Sequence, residues 1–139
     1  SESDQRRALD CAVEGGRAAL AASGATAPAE RTAWREAYAA ALFARRQALP
    51  GREACADNAA LLAEADRLRA EVPAAPRPRF LAASARLTAA RLCGAPACPT
   101  LADAAPLLRD PPAEAAAQCR AQWRALSAAI ETTARSLSC

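Results

Sequence analysis

The sequence of 139 residues contains no histidine, no lysine and no methionine. Without histidine, neither a Ser-His-Asp nor a Cys-His site can form, and the commonest general base is missing. Mixed Cys/His zinc sites are excluded for the same reason. A C-x2-C pair, a P-loop, a Gly-rich dinucleotide turn and a D-x-D-x-D calcium loop are also absent. Carboxylate pairs such as Glu64 and Asp66 are read as solvated helix faces. The sequence therefore predicts a protein that is not an enzyme and holds no cofactor and no metal.

Large apolar side chains are scarce, because alanine supplies most of the 53% hydrophobic content and aromatic residues make up only 4%. Burying a large apolar side chain contributes about 1.5–3 kcal/mol, against about 1–2 kcal/mol lost for each ordered backbone residue. With so few such side chains, we expect covalent cross-links to support the fold. Either the alanine-rich helices approach very closely, or an apolar cavity remains between them.

Six cysteines are spread over the whole chain: Cys11, Cys55, Cys93, Cys98, Cys119 and Cys139. Their even number and wide spacing predict three disulfides and an oxidising, extracellular location. No hydrophobic signal segment or membrane span is seen, and the opening "SESDQRR" is typical of a mature amino terminus. All the cations are arginines interleaved with acids, and the net charge is +3. A clustered basic stripe is missing, so nucleic acid is not an expected partner.

Helical periodicity recurs along the chain and no alternating pattern suggests a sheet. The prediction is an all-α fold, a single domain over 1–139 built as a compact five- to six-helix disulfide-linked bundle. Pro73 to Pro78 ("PAAPRP") is expected to be an extended linker, and Thr100 the N-cap of a short fifth helix. Asp110-Pro111-Pro112 is expected to start the last helix. The predicted helices cover 4–22, 29–49, 52–72, 79–93, about 100–108 and a final segment to the carboxyl end.

The last helix carries the clearest apolar stripe, with steps of four and three residues. Its members are Cys119, Trp123, Leu126, Ile130, Thr133 and Leu137. Inward faces of three predicted helices supply the candidate wall of a ligand cavity: Tyr38, Leu42, Phe80, Leu81, Leu126 and Ile130. The hydroxyl of Tyr38 or Thr88 is the candidate polar anchor for an apolar ligand.

The stretch "LCGAPACPTLADAAPLLRDPPAE" (92–114) has a C-x4-C pair with Ala97 before Cys98, then two leucines ahead of a double proline. In these features, and in the order of its six cysteines, the chain resembles the elicitins, which are small secreted oomycete proteins. The intervals before Cys55 and Cys93 are longer than in that family, and the fifth cysteine comes later.

The resemblance implies an all-helical fold that carries a sterol or fatty acid between its helices and is recognised, in some members, by plant immune receptors. It also implies the pairing Cys11–Cys119, Cys55–Cys98 and Cys93–Cys139. The residues alone leave all 15 pairings open.

Two functional hypotheses follow. The first is a non-catalytic secreted protein that carries an apolar small molecule, a sterol or fatty acid, and is recognised by a host. The second is a secreted or surface helical interaction module or effector with a filled core and no lipid ligand. For this second hypothesis, the candidate contact residues are Arg45, Arg46, Arg52, Arg67 and Arg69, because arginine is common at protein interfaces.

Overall fold

The computed structural model describes residues 1–24, 27–113 and 117–139. Helices account for most of this part of the chain, and no strand occurs in it, which confirms the predicted all-α, disulfide-linked bundle. No helix within these ranges is long and apolar enough to cross a membrane. Two short 3-10 helices cover Gly51–Ala54 and Ala105–Leu108. The α-helices are α1 (Glu2–Ala21), α2 (Pro28–Ala48), α3 (Cys55–Glu71), α4 (Pro76–Leu92), α5 (Ala97–Ala104) and α6 (Ala117–Ser136).

Three predicted helix starts are wrong. The segment expected to be an extended linker includes the first turn of α4, because Pro76 stands at the first helical position, where no backbone N–H is needed. Helix α5 begins at Ala97, so Thr100 lies inside it and is not its N-cap. The Asp110-Pro111-Pro112 segment is not helical, and α6 is described from Ala117. Residues 114–116, just before that point, lie outside the described residues.

The helices pack largely in chain order, α1 on α2, α2 on α3 and α3 on α4, while α5 and the second 3-10 helix lie against α4. Helix α6 contacts this last group and α4. Large side chains that are fully buried include Val13, Leu42, Leu61, Leu68 and Leu101. Alanines fill much of the remaining core, which permits close approach of neighbouring helices.

Two disulfides join the described helices, Cys55–Cys93 and Cys98–Cys139, with Cα–Cα distances of 5.6 and 5.4 Å. The pairing carried over from the elicitins is therefore wrong. Cys55 begins α3 and Cys93 follows the last residue of α4, and these two points meet because consecutive helices in a short-looped pair run antiparallel.

The turn that follows α4 separates the two close cysteines. Gly94 has φ of +75°, a conformation that favours glycine, and Ala95 donates its N–H to the Ala89 carbonyl at 3.2 Å. Cys98 then lies in the first turn of α5, where it meets the end of the chain. Cys93 and Cys98 are thus bonded to different parts of the chain, Cys55 and Cys139.

The remaining two cysteines, Cys11 on α1 and Cys119 on α6, are exposed free thiols. The expectation of three disulfides is therefore not met, since the structure has two. Two disulfides are compatible with an oxidising compartment.

Candidate binding site

The residues predicted to line a ligand cavity do not share one. Tyr38, Leu42, Leu81 and Ile130 belong to the packed core, while Phe80 and Leu126 are half-buried against it. Four of them each line a different surface crevice, and these four are Tyr38, Phe80, Leu81 and Ile130. The last predicted residue, Thr88, is half-buried on α4. Lipid binding by these residues remains a prediction.

Tyr38 lines a polar cleft of about 360 Å³ between α1, α2 and α3. At its floor, Arg35 donates to Glu64 at 2.5 Å and to Glu71 at 3.1 Å. A contact with Tyr38, followed by the charge of Glu14, raises the pKa of Arg17 at the mouth. The cations of this cleft thus already have carboxylate partners, which makes it a structural contact between helices.

The prediction of an arginine contact surface is wrong for Arg45 and Arg46, because both side chains are held inside the bundle. Arg45 donates to Asp57 at 2.7 Å and to Asp10 at 3.1 Å. The hydrogen bonds to Asp57 raise the pKa of the Arg45 guanidinium, although burial acts to lower it. Of the other three, Arg52 and Arg67 are exposed and Arg69 is half-buried.

Arg46 is only 5% exposed and takes part in none of the ion pairs found in the described ranges. Instead, Nη1 donates to Oδ1 of Asn58 at 2.9 Å and Nη2 donates to Oγ of Ser84 at 2.8 Å. Asn58 in turn donates to the Ala85 carbonyl at 2.9 Å. Burial lowers the pKa of Arg46. This polar cluster joins α2, α3 and α4, and its atoms are occupied with one another.

The most apolar crevice lies between the first turn of α4 and the first half of α6; we call it the α4–α6 crevice. Its volume is about 180 Å³. Prolines and aromatic rings make up much of its wall, and the free thiol of Cys119 lies on it. The lining residues are Pro76, Arg77, Phe80, Pro112, Cys119, Gln122 and Trp123.

The aromatic wall of this crevice is fixed in place. Trp123 is 5% exposed, and its Nε1–H donates to the Leu108 carbonyl at 2.7 Å, which satisfies its single polar group. The Phe80 ring lies 6.0 Å from the Trp123 ring, centroid to centroid. The Arg79 guanidinium lies 5.0 Å from the Trp123 ring centroid, within cation–π range, and donates to the Asp110 carbonyl at 3.2 Å. The wall is therefore preorganised.

The start of α4 makes this crevice electropositive. The N-cap residue Ala75 offers no side-chain hydrogen bond, and no acidic residue stands in the first turn. A helix amino terminus carries a partial positive charge that acidic residues normally offset. Here the first turn carries Arg77, and Arg79 follows it, while Arg120 of α6 donates to the Ala113 carbonyl beside Pro112. Positive charge thus collects around an apolar surface.

Sequence reasoning missed this site for identifiable reasons. Trp123 and Cys119 were assigned to one inward stripe, yet only Trp123 is buried. Pro76 and Arg77 were assigned to a linker. The signal that was present is the segment "PRPRF", a helix start that carries two arginines and no acid.

No protein-family model, curated protein or solved structure matches this chain. The elicitin resemblance therefore stays a prediction, and its cysteine pairing is contradicted by the two disulfides.

Proposed function

We propose that this chain is a non-catalytic, exported helical binding module that holds an acidic segment of a partner protein at the α4–α6 crevice. The observation that carries the proposal is the joining of a preorganised Trp123–Phe80 wall to an uncapped helix start that bears Arg77. Hot spots of protein interfaces are such desolvated aromatic pockets, often with arginine beside them.

The size of the α4–α6 crevice favours a side-chain anchor over a whole lipid at this place. A volume of about 180 Å³ corresponds to about six water molecules at about 30 Å³ each. Pockets that enclose drug-sized molecules are larger, about 300–1,000 Å³. One leucine or aromatic side chain suits this space, whereas a sterol would leave most of its surface in water.

The positive charge at the α4–α6 crevice determines which kind of partner segment it favours. The guanidinium of Arg77 and the amino-terminal end of α4 favour carboxylates next to the anchor. Such contacts raise the rate of association and weaken as salt screens them. The proposed partner segment therefore carries an apolar residue flanked by aspartate or glutamate.

The two free thiols provide the test. Cys119 lines the crevice, while Cys11 is exposed on α1 and serves as an internal reference. We expect the capped peptide EELEE to slow alkylation of Cys119 by iodoacetamide relative to Cys11, as read by mass spectrometry, and KKLKK to have no such effect. The protection should decrease as salt increases.

Arg77→Glu should abolish this protection, whereas Arg52→Glu, a change at an exposed arginine outside the crevice, should leave it intact. Equal alkylation of Cys119 with and without EELEE would refute the proposal. Protection by decanoate but not by EELEE would replace it with the fatty-acid hypothesis.

A further inference from the structure

A second crevice lies on the other side of the first turn of α4. It has a volume of about 200 Å³ and shares Pro76 and Arg77 with the α4–α6 crevice. We call it the α3–α4 crevice. Its lining residues are Glu36, Leu68, Ala75, Pro76, Arg77, Pro78 and Leu81.

The ridge between the two crevices is stiffened by proline and carries one polar side chain, because Pro76 and Arg77 are the residues that both crevices share. Pro76 and Pro78 fix their own φ angles and carry no N–H. Because the first N–H groups of a helix have no internal partner, Arg77 is left to present both a backbone donor and a guanidinium on this ridge. A carboxylate that crosses the ridge would meet both groups.

We propose that a single partner segment crosses the start of α4 with one apolar side chain in each crevice and an acidic residue between them, opposite Arg77. This inference rests on the proposed function, since the α4–α6 crevice is its first anchor site. Glu36 at the edge of the α3–α4 crevice is exposed. Its charge disfavours a further acid beyond the second anchor, so the segment has one preferred direction.

The arrangement predicts a binding pattern of apolar, acidic, apolar in the partner. Each anchor gains from burial of its own side chain, and the second anchor binds as part of a segment that is already held. We expect a two-anchor peptide to bind at least about tenfold more tightly than a one-anchor peptide of the same charge, which corresponds to about 1.4 kcal/mol.

Fluorescence anisotropy of labelled peptides at low salt tests this. The panel contains one leucine flanked by glutamates and pairs of leucines separated by one to four glutamates. Ala75→Leu places a larger side chain in the α3–α4 crevice, and Ala74→Leu is the matched control at an exposed alanine that lines neither crevice. Thermal unfolding followed by circular dichroism establishes that both variants fold.

We expect at least one two-anchor spacing to show the gain, Ala75→Leu to remove the gain without changing one-anchor binding, and Ala74→Leu to change neither. If the one-anchor peptide binds but no spacing improves on it, the further inference is overturned and the proposed function stands. The same holds if Ala75→Leu leaves the gain intact. If the one-anchor peptide does not bind at all, the proposed function itself fails.

Discussion

Helices α1 and α2 come close together at a glycine, and its neighbour in the sequence provides a matched control. A Cβ atom built on Gly16 would lie 2.9 Å from Cδ1 and 3.2 Å from the Cα atom of Tyr38. A Cβ atom on Gly15 would meet nothing within 4 Å. Both glycines lie in the middle of α1, so Gly15→Ala and Gly16→Ala change the same helix by the same methyl group.

The two substitutions are expected to have opposite effects on the free energy of unfolding. Alanine in a helix interior is more favourable than glycine by about 1 kcal/mol, so Gly15→Ala should stabilise the protein by up to that amount. Gly16→Ala gains the same helix-propensity contribution, but its new methyl group forces α1 away from Tyr38. The backbone of Tyr38 cannot move aside as a flexible side chain does. Overpacking of this kind costs about 1–3 kcal/mol. The two variants should therefore differ by about 1–3 kcal/mol, with Gly16→Ala the less stable.

Urea denaturation followed by circular dichroism measures both values under one condition, and unchanged m-values establish that the comparison is of stability alone. Near-ultraviolet circular dichroism reports whether the surroundings of the aromatic side chains have shifted in Gly16→Ala. Equal stabilisation by the two alanines would refute the close approach of α1 and α2 at Gly16. Destabilisation by both would show that α1 needs glycine for another reason.

Two further changes test the interior and the cross-links. Replacement of Cys98 and Cys139 by alanine should lower the free energy of unfolding by about 4 kcal/mol on the chain-entropy model, since the disulfide spans a separation of 41 residues; a loss below about 1 kcal/mol in urea denaturation would contradict this. Asn58→Leu should cost about 3 kcal/mol, because Nη1 of the buried, charged Arg46 loses its acceptor while only the bond from Nη2 to Ser84 remains. Adding Arg46→Met to Asn58→Leu should recover most of that loss, and strictly additive costs in the double-mutant cycle would argue against the hydrogen bond.

The fold class was predictable because it depends on local signals. Apolar steps of three and four residues recur along the chain, and prolines stand at the starts of α2 and α4. Helix α2 was expected over 29–49 and extends over Pro28–Ala48. The errors occur where a proline or a capping residue permits two interpretations: Pro76 is compatible with both a linker and a first helical turn, and Thr100, although favoured at an N-cap, is tolerated inside a helix.

The Cys55–Cys93 disulfide joins neighbouring helices of the chain, whereas the resemblance to a family pointed elsewhere and the residues alone left the pairings open. Once helices are expected over 52–72 and 79–93 with a short connection, antiparallel packing brings Cys55 close to Cys93. This geometry involves only neighbouring elements, whereas the family's pairing requires the whole topology to be shared. The Cys98–Cys139 disulfide depends on how α6 packs against α5, which the sequence does not show.

The candidate site could not be derived from the sequence, because it depends on how α4 and α6 meet. Trp123 and Phe80 each stand on an apolar helix face, as core residues do. The contact between their rings, whose centroids are 6.0 Å apart, arises only from the packing of the two helices. Charge gave a partial signal, since arginines without an acid at a helix start break a local rule. Such local violations are expected at functional sites.

The sequence allowed either closely packed helices or an apolar cavity between them. Small residues and arginines together favour close packing. Fully buried alanines such as Ala65, Ala82 and Ala85 allow the helices to approach closely, so a large internal cavity is not needed to explain the shortage of large side chains. Arginine side chains then bridge neighbouring helices. Arg86 on α4 forms two bonds to Asp66 on α3, at 3.1 and 2.9 Å. Burial alone would raise the pKa of Asp66, but bonds from arginines outweigh it and lower that pKa. The interior of a bundle held in this way is filled by its own side chains, and the proposed binding site lies on its surface.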